Sequence, residues 1–189
     1  MPRELISRRM AMTMLAAFAG LGTSAWAQPG APAEIATELP GARLMGSGRL
    51  TWLGLHVYDA RLWVTDGFSA DAFATLPLAL ELQYARSLVG KLIAERSLDE
   101  MKRVGGFGDE QARRWLAAMT QAFPDVAKGD RLTGVHRPGE AARFFHNTEP
   151  KGEVRDADFA RRFFGIWLSA QTSEPKLRAA LLNLNRAAS

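Results

Sequence analysis

The sequence predicts an α+β fold in which a large antiparallel sheet carries a layer of helices. Three observations lead there. Residues 43–64 and 76–84 are rich in β-branched, aromatic and aliphatic side chains with a period near two. Four later segments, starting near Leu88, Asp109, Asp156 and Ser173, repeat their apolar residues at helical spacing. The two kinds of segment are grouped rather than strictly alternating, which argues against a parallel βαβ sheet.

The chain begins with a basic stretch, Arg3, Arg8 and Arg9, followed by the uncharged apolar run Ala11 to Gly22. That run is short of the roughly 20 residues a spanning helix needs. Ala25-Trp26-Ala27 then supplies a small-x-small cleavage pattern. Residues 1–27 read as a signal peptide cleaved after Ala27, which implies export to a bacterial periplasm and no stable membrane span after cleavage. Ser7-Arg8-Arg9 leaves the twin-arginine route open beside ordinary secretion. Residues 28–40 are rich in Pro, Ala and Gly and read as a flexible arm. Residues 41–189 suit one domain.

Within that domain, Arg43 to Val64 reads as extended chain, with Gly46-Ser47-Gly48 and Gly54 as turns or bulges. Leu76 to Tyr84 is a further apolar strand. Leu88, Val89, Leu92, Ile93 and Met101 mark an amphipathic helix that ends at Gly105-Gly106. Asp109 offers a cap for a second helix with Trp115, Leu116, Met119 and Phe123 on its stripe. Arg131 to His136 and Ala142 to Asn147 flank Arg137-Pro138-Gly139-Glu140, a hairpin pattern. Asp156 caps a third helix carrying Phe159, Phe163, Ile166 and Trp167. Ser173-Glu174-Pro175 starts a fourth, carrying Leu177, Leu181 and Leu184.

Several chemistries are poorly supported. The 189 residues carry a formal net charge of +4, and three of the arginines lie in the leader. No basic stripe of the kind nucleic-acid binding requires is present. The chain has no cysteine, which excludes disulfides and thiol nucleophiles. His56, His136 and His146 lack ligand spacing, so no metal site is expected. There is no G-x-S-x-G elbow and no Walker loop.

The segment LHVYDARLWV, Leu55 to Val64, carries the informative residues. Strand parity puts Asp59 and Arg61 on one face, where they can neutralise each other, and His56 and Tyr58 on the other. Around it runs an aromatic and basic cluster: Arg49, Trp52, Tyr58, Arg61, Trp63, Tyr84 and Arg86. Arginine beside aromatics suits a pocket for a small apolar anion, the rings forming the wall and the guanidinium binding the charge. The same composition also suits a wet strand face over an aromatic core.

Gly46-x-Gly48-Arg49 with WLGLHVYDARLWV, LALELQYARSLVGKLIAERSLDEM, FPDVAKGDRLTGVHRPG and FARRFFGIWLSAQTSEPKLRAALL resembles the bacterial chalcone isomerase-like family. The resemblance runs from about Gly41 to about Leu182. It implies an open-faced β-sandwich and no cofactor. Plant enzymes of this kind cyclise a chalcone using an arginine, a threonine, a tyrosine, an asparagine and a late hydroxyl. Arg49 matches the arginine position, and Tyr58 stands at the threonine position. Tyr84 matches the tyrosine in one register and Leu88 stands there in another, and Thr172 or Ser173 lies near the late hydroxyl. Lys91 and Glu95 stand where the asparagine is expected. The set is partial, so the resemblance implies a non-catalytic protein that binds a small or acyl-chain anionic ligand. Its expected ligand-binding residues are Arg49, Tyr58, Tyr84, Thr172 and Ser173, with Arg49 as anchor. Two alternatives stand beside this reading: a cofactor-independent isomerase (an intramolecular lyase), and an envelope partner protein whose cleft is closed. Ligand identity and oligomeric state stay open.

Overall fold

The computed structural model describes residues 30–184. The leader and its cleavage site lie outside them. Six strands form one antiparallel sheet in chain order: β1 (Arg43–Trp52), β2 (Leu55–Val64), β3 (Leu78–Tyr84), β4 (Arg131–Arg137), β5 (Ala141–His146) and β6 (Glu149–Val154). Helices α2 (Gly90–Val104) and α3 (Asp109–Ala122) connect β3 to β4. Helices α4 (Ala157–Leu168) and α5 (Pro175–Leu181) follow β6. The architecture is the expected α+β open-faced sandwich.

Alternation within each strand sorts the two faces. Tyr58, Ala60, Leu62 and Val64 of β2 and Leu78, Leu80, Leu82 and Tyr84 of β3 point toward α2–α5 and join one buried core. Helix α4 closes that core with aromatics: Phe159 and Phe163 stack at 5.7 Å, and Phe163 meets Trp167 at 5.5 Å. Asp156 caps α4 as expected, accepting from the backbone N–H groups of Asp158 and Phe159. Its other oxygen accepts from Trp115 Nε1 at 2.9 Å, which ties α3 to the start of α4.

Glycines 46 and 48 do not mark turns. β1 runs straight through both, with a bulge between Leu44 and Gly46. They are the contact line for α5. A Cβ on Gly46 would collide with the carbonyl oxygens of Ala180 and Leu181, and one on Gly48 would strike Leu177.

The segment 28–40, expected as a loose arm, carries helix α1 (Ala33–Glu38), which packs on the sheet face opposite the other helices. Ile35 and Leu39 are buried there against Trp63, Ala79, Val135 and Phe145. Glu34 is fully buried and receives Arg131 at 3.0 Å and Thr133 Oγ1 at 3.0 Å. Glu38 binds Arg137 at 2.8 Å and Arg143 at 2.5 Å. Alanine- and proline-rich composition suggested disorder; burial of an Ile–Leu pair and four ionic or hydroxyl contacts from β4 and β5 outweigh it.

His136 and His146 stand on adjacent strands but are not cross-strand partners. The register pairs His136 with Ala142 and His146 with Leu132. His136 is buried 5.0 Å from the ring of Phe164, and burial lowers its pKa below the ordinary histidine value. Acidification therefore protonates the unfolded chain first, and stability falls as pH drops below about 6.5. The urea midpoint of the wild type should fall more steeply between about pH 7 and pH 5 than that of His136→Gln. Parallel pH profiles for the two proteins would contradict this.

Candidate ligand cavity

Between the sheet and helices α2 and α4 lies a cavity of about 420 Å³. The volume falls within the range of small-molecule sites, about 300–1,000 Å³. The sheet supplies the floor through Tyr58, Leu80, Leu82, Tyr84, Leu132 and Phe144. Ile93, Ser97 and Glu100 of α2 and Phe163, Ile166 and Trp167 of α4 form the roof. Trp52, Arg86, Leu88, Leu92 and Arg96 stand around the opening, and Ser173 and Glu174 close one side. The lining is predominantly apolar with a few convergent polar groups, as expected for a site that holds a lipophilic molecule by its body and orients it by its head.

The polar groups differ in how free they are. Tyr58 and Tyr84 are cross-strand partners, with ring centroids 5.8 Å apart. The Tyr58 hydroxyl already accepts from Trp167 Nε1 at 2.9 Å. Tyr84, 3% exposed, has no hydrogen-bond partner for its hydroxyl among the described residues. Burial raises both phenol pKa values, and the neighbouring Tyr58 raises that of Tyr84 further. Both rings therefore stay protonated, and Tyr84 presents a neutral O–H donor to the cavity. Glu100 is nearly buried in the roof, held by Arg96 at 2.6 Å and Arg103 at 3.4 Å. Arg96 also lies over the ring of Trp52, 5.5 Å from its centroid. Arg86 is exposed at the opening and has no carboxylate partner among the described residues.

The expected site residues divide sharply. Tyr58, Tyr84 and Ser173 line the cavity. Thr172 does not: its hydroxyl donates to the Ile166 carbonyl at 2.6 Å and accepts from the Glu174 N–H at 3.1 Å, shaping the turn between α4 and α5. Arg49, the expected anchor, lies on the opposite face. Its strand neighbour Leu50 pairs with Tyr58 and lines the cavity, while Arg49 pairs with Asp59. There its Nε donates to Asp59 at 2.8 Å, raising the arginine pKa and lowering that of Asp59. Arg49, expected as the anchor, therefore does not face the cavity.

Two finer expectations about β2 also change. Asp59 and Arg61 share a face but do not pair; Arg61 turns to Glu81 at 2.7 Å. A bulge at Leu50/Thr51 pairs Thr51 with His56. His56 thereby reaches Asp59 at 3.2 Å, and Val57 joins Tyr58 at the cavity.

Among the described residues, Arg86 and Arg96 are the guanidiniums that line the cavity, and the family motif points to neither. A local signal exists for each. Arg86 follows Tyr84 by two residues, and the extended pairing continues beyond β3 through Ala85 N–H to Val57 O at 2.9 Å. Arg96 falls on one helical stripe with Leu92, Ile93 and Glu100.

A six-stranded antiparallel sheet under one helical layer, with an apolar cavity between them, is an α+β open-faced sandwich. The chain belongs to the chalcone isomerase-like family, whose model matches residues 37–183. It is 28% identical over 138 residues to an uncharacterized protein of Haemophilus influenzae, covering 73% of this chain and 66% of that protein. The chain thus spans just under two thirds of that relative's length. In three dimensions it is similar to the crystal structure of an Arabidopsis thaliana fatty-acid binding protein, with TM-score 0.60 and 14% identity over 77% of this chain and 88% of that one. At that identity the likeness is one of fold.

Proposed function

We propose that this protein is an exported, periplasmic carrier that binds, without transforming it, a small lipophilic molecule with an anionic head, an acyl chain above all. The observation that carries the reading is the open apolar cavity whose polar groups include the Tyr84 hydroxyl and, at the mouth, Arg86, both without a partner among the described residues. The ligand's tail lies against Leu80, Leu82, Phe144 and Phe163. Tyr84 donates a hydrogen bond to the head group, and Arg86 supplies the countercharge. The fold shared with a fatty-acid binding protein is consistent with this, and the leader pattern supports export. An open cavity lacks the filling side chains that the closed-cleft alternative requires.

Native mass spectrometry of protein recovered from a periplasm, followed by displacement titration with saturated fatty acids and phenolic acids, tests the reading. The expected result is bound acyl chains, with Tyr84→Phe weakening binding about tenfold, the worth of one hydrogen bond to a charged group. Protein that is always empty and binds neither ligand class would overturn it.

A further inference from the structure

Five of the six large apolar side chains exposed among the described residues lie in two short segments: Trp52, Leu53 and Leu55 at the β1–β2 turn, where Trp52 pairs with Leu55, and Val89 and Leu92 at the start of α2. Trp52 and Leu92 also line the cavity, and Arg96, one turn after Leu92, lies over the Trp52 ring, so the two segments meet at the cavity wall. A contiguous exposed apolar patch on a small protein marks an interaction surface.

Leu53 makes the case specific. It sits at φ 48° with Gly54 at φ 77°, so both central residues of the β1–β2 turn are left-handed. Such hairpin turns favour Asn-Gly, because asparagine adopts this backbone at lower cost than leucine. Leu53 is nonetheless 85% exposed and contributes nothing to either core. A residue that strains the backbone and gains no burial in the fold breaks a local rule without internal compensation.

We propose that this rim docks on an anionic phospholipid surface, with the Trp52–Leu55 tip entering the interface. A convex hairpin tip of Trp, Leu, Gly and Leu suits a soft bilayer interface, where tryptophan is favoured. Arg86, Lys91 and Arg96 stand beside it, and Arg86 is without a carboxylate partner among the described residues. Lys91 and Arg96 are themselves paired, with Glu95 at 3.8 Å and with the buried Glu100 at 2.6 Å, and Glu174 flanks the cavity side, so Arg86 is the rim's unpaired positive charge among the described residues. The proposal deepens the carrier reading, on which it rests for what passes through the opening: an acyl ligand moves between bilayer and cavity without crossing water.

Co-sedimentation with vesicles of phosphatidylcholine and phosphatidylglycerol tests the docking itself. The wild type should bind, and Leu53→Asn with Leu55→Ser should lose at least about tenfold in vesicle affinity. The same double variant should bind free fatty acid normally in vesicle-free solution. Leu53→Asn alone should raise the melting temperature, by about 2–4 °C, because it relieves the turn. Wild-type protein that ignores the vesicles, or variants that bind them equally well, would overturn the proposal. So would a wild-type dimer that the double variant dissolves, since the rim would then belong to a second copy. Vesicle binding by a protein that takes up no fatty acid would leave docking intact and overturn the carrier reading instead.

Discussion

Glu81→Ala is expected to destabilise the protein by about 3–5 kcal/mol, the usual cost of stripping one partner from a buried ionic group. Glu81 is 1% exposed at the centre of β3, on the face away from the cavity. It accepts from Arg61 Nη1 at 2.7 Å and from Trp63 Nε1 at 2.9 Å, and Arg131 Nε lies 3.6 Å away. Arg131 in turn holds Glu34 of α1. Removing the carboxylate leaves an indole N–H without an acceptor and two guanidiniums without a shared counter-ion. Arg61 is about one-third exposed and can turn to water; Arg131 is more enclosed and cannot do so as readily. Glu81→Gln, which keeps an acceptor for Trp63 but not the charge, should cost roughly half as much. Urea unfolding of the three proteins checks the order. A shift below about 1 kcal/mol for Glu81→Ala would mean that the network contributes little beyond a surface pair. Because the site lies behind the sheet, ligand affinity of the folded variant should be unchanged.

The features that sequence made visible are those governed by neighbours in the chain. Alternation in β2 set Tyr58 on the face away from Asp59 and Arg61, and the Asp156 cap and the Phe159–Trp167 stripe located α4. What escaped was fixed from far away or by a single inserted residue. Helix α1 is six residues long, and its partners Arg131, Thr133, Arg137 and Arg143 lie roughly a hundred positions downstream. β6 reads EPKGEV, with no alternation and a proline, and pairs only as an edge strand beside β5. Arg49 was misplaced because a motif position carries no strand register: one step along β1 exchanges it for Leu50 and reverses its face. The composition of the site, aromatic with arginine, was legible. Which arginine faced the cavity required the parity of Tyr84 and Arg86 to be weighed above the motif match.

That distinction makes Arg86→Glu the sharpest functional expectation: affinity for an anionic lipophilic ligand should fall at least about 100-fold. Deleting a charge-assisted hydrogen bond removes about 1.5–3 kcal/mol, and reversing the charge adds repulsion of the same head group. Arg86 is exposed and makes no ion pair among the described residues, so the fold does not depend on it. Arg49→Glu is the matched control. It carries the same charge change on the other face, next to Asp59, and should leave affinity within about twofold, a distant and solvent-screened effect. Displacement titrations on both variants, with melting curves to show that each is folded, separate the two arginines. Equal losses for Arg49→Glu and Arg86→Glu would point to a general charge effect rather than an anchor. A loss confined to Arg49→Glu would restore the motif position and place the ligand on the α1 side of the sheet. The expected pattern, a loss confined to Arg86→Glu, fixes the head group at the mouth with the tail inward. In that orientation Tyr84 and Arg86, two residues apart on one face, hold opposite sides of the same carboxylate or phosphate.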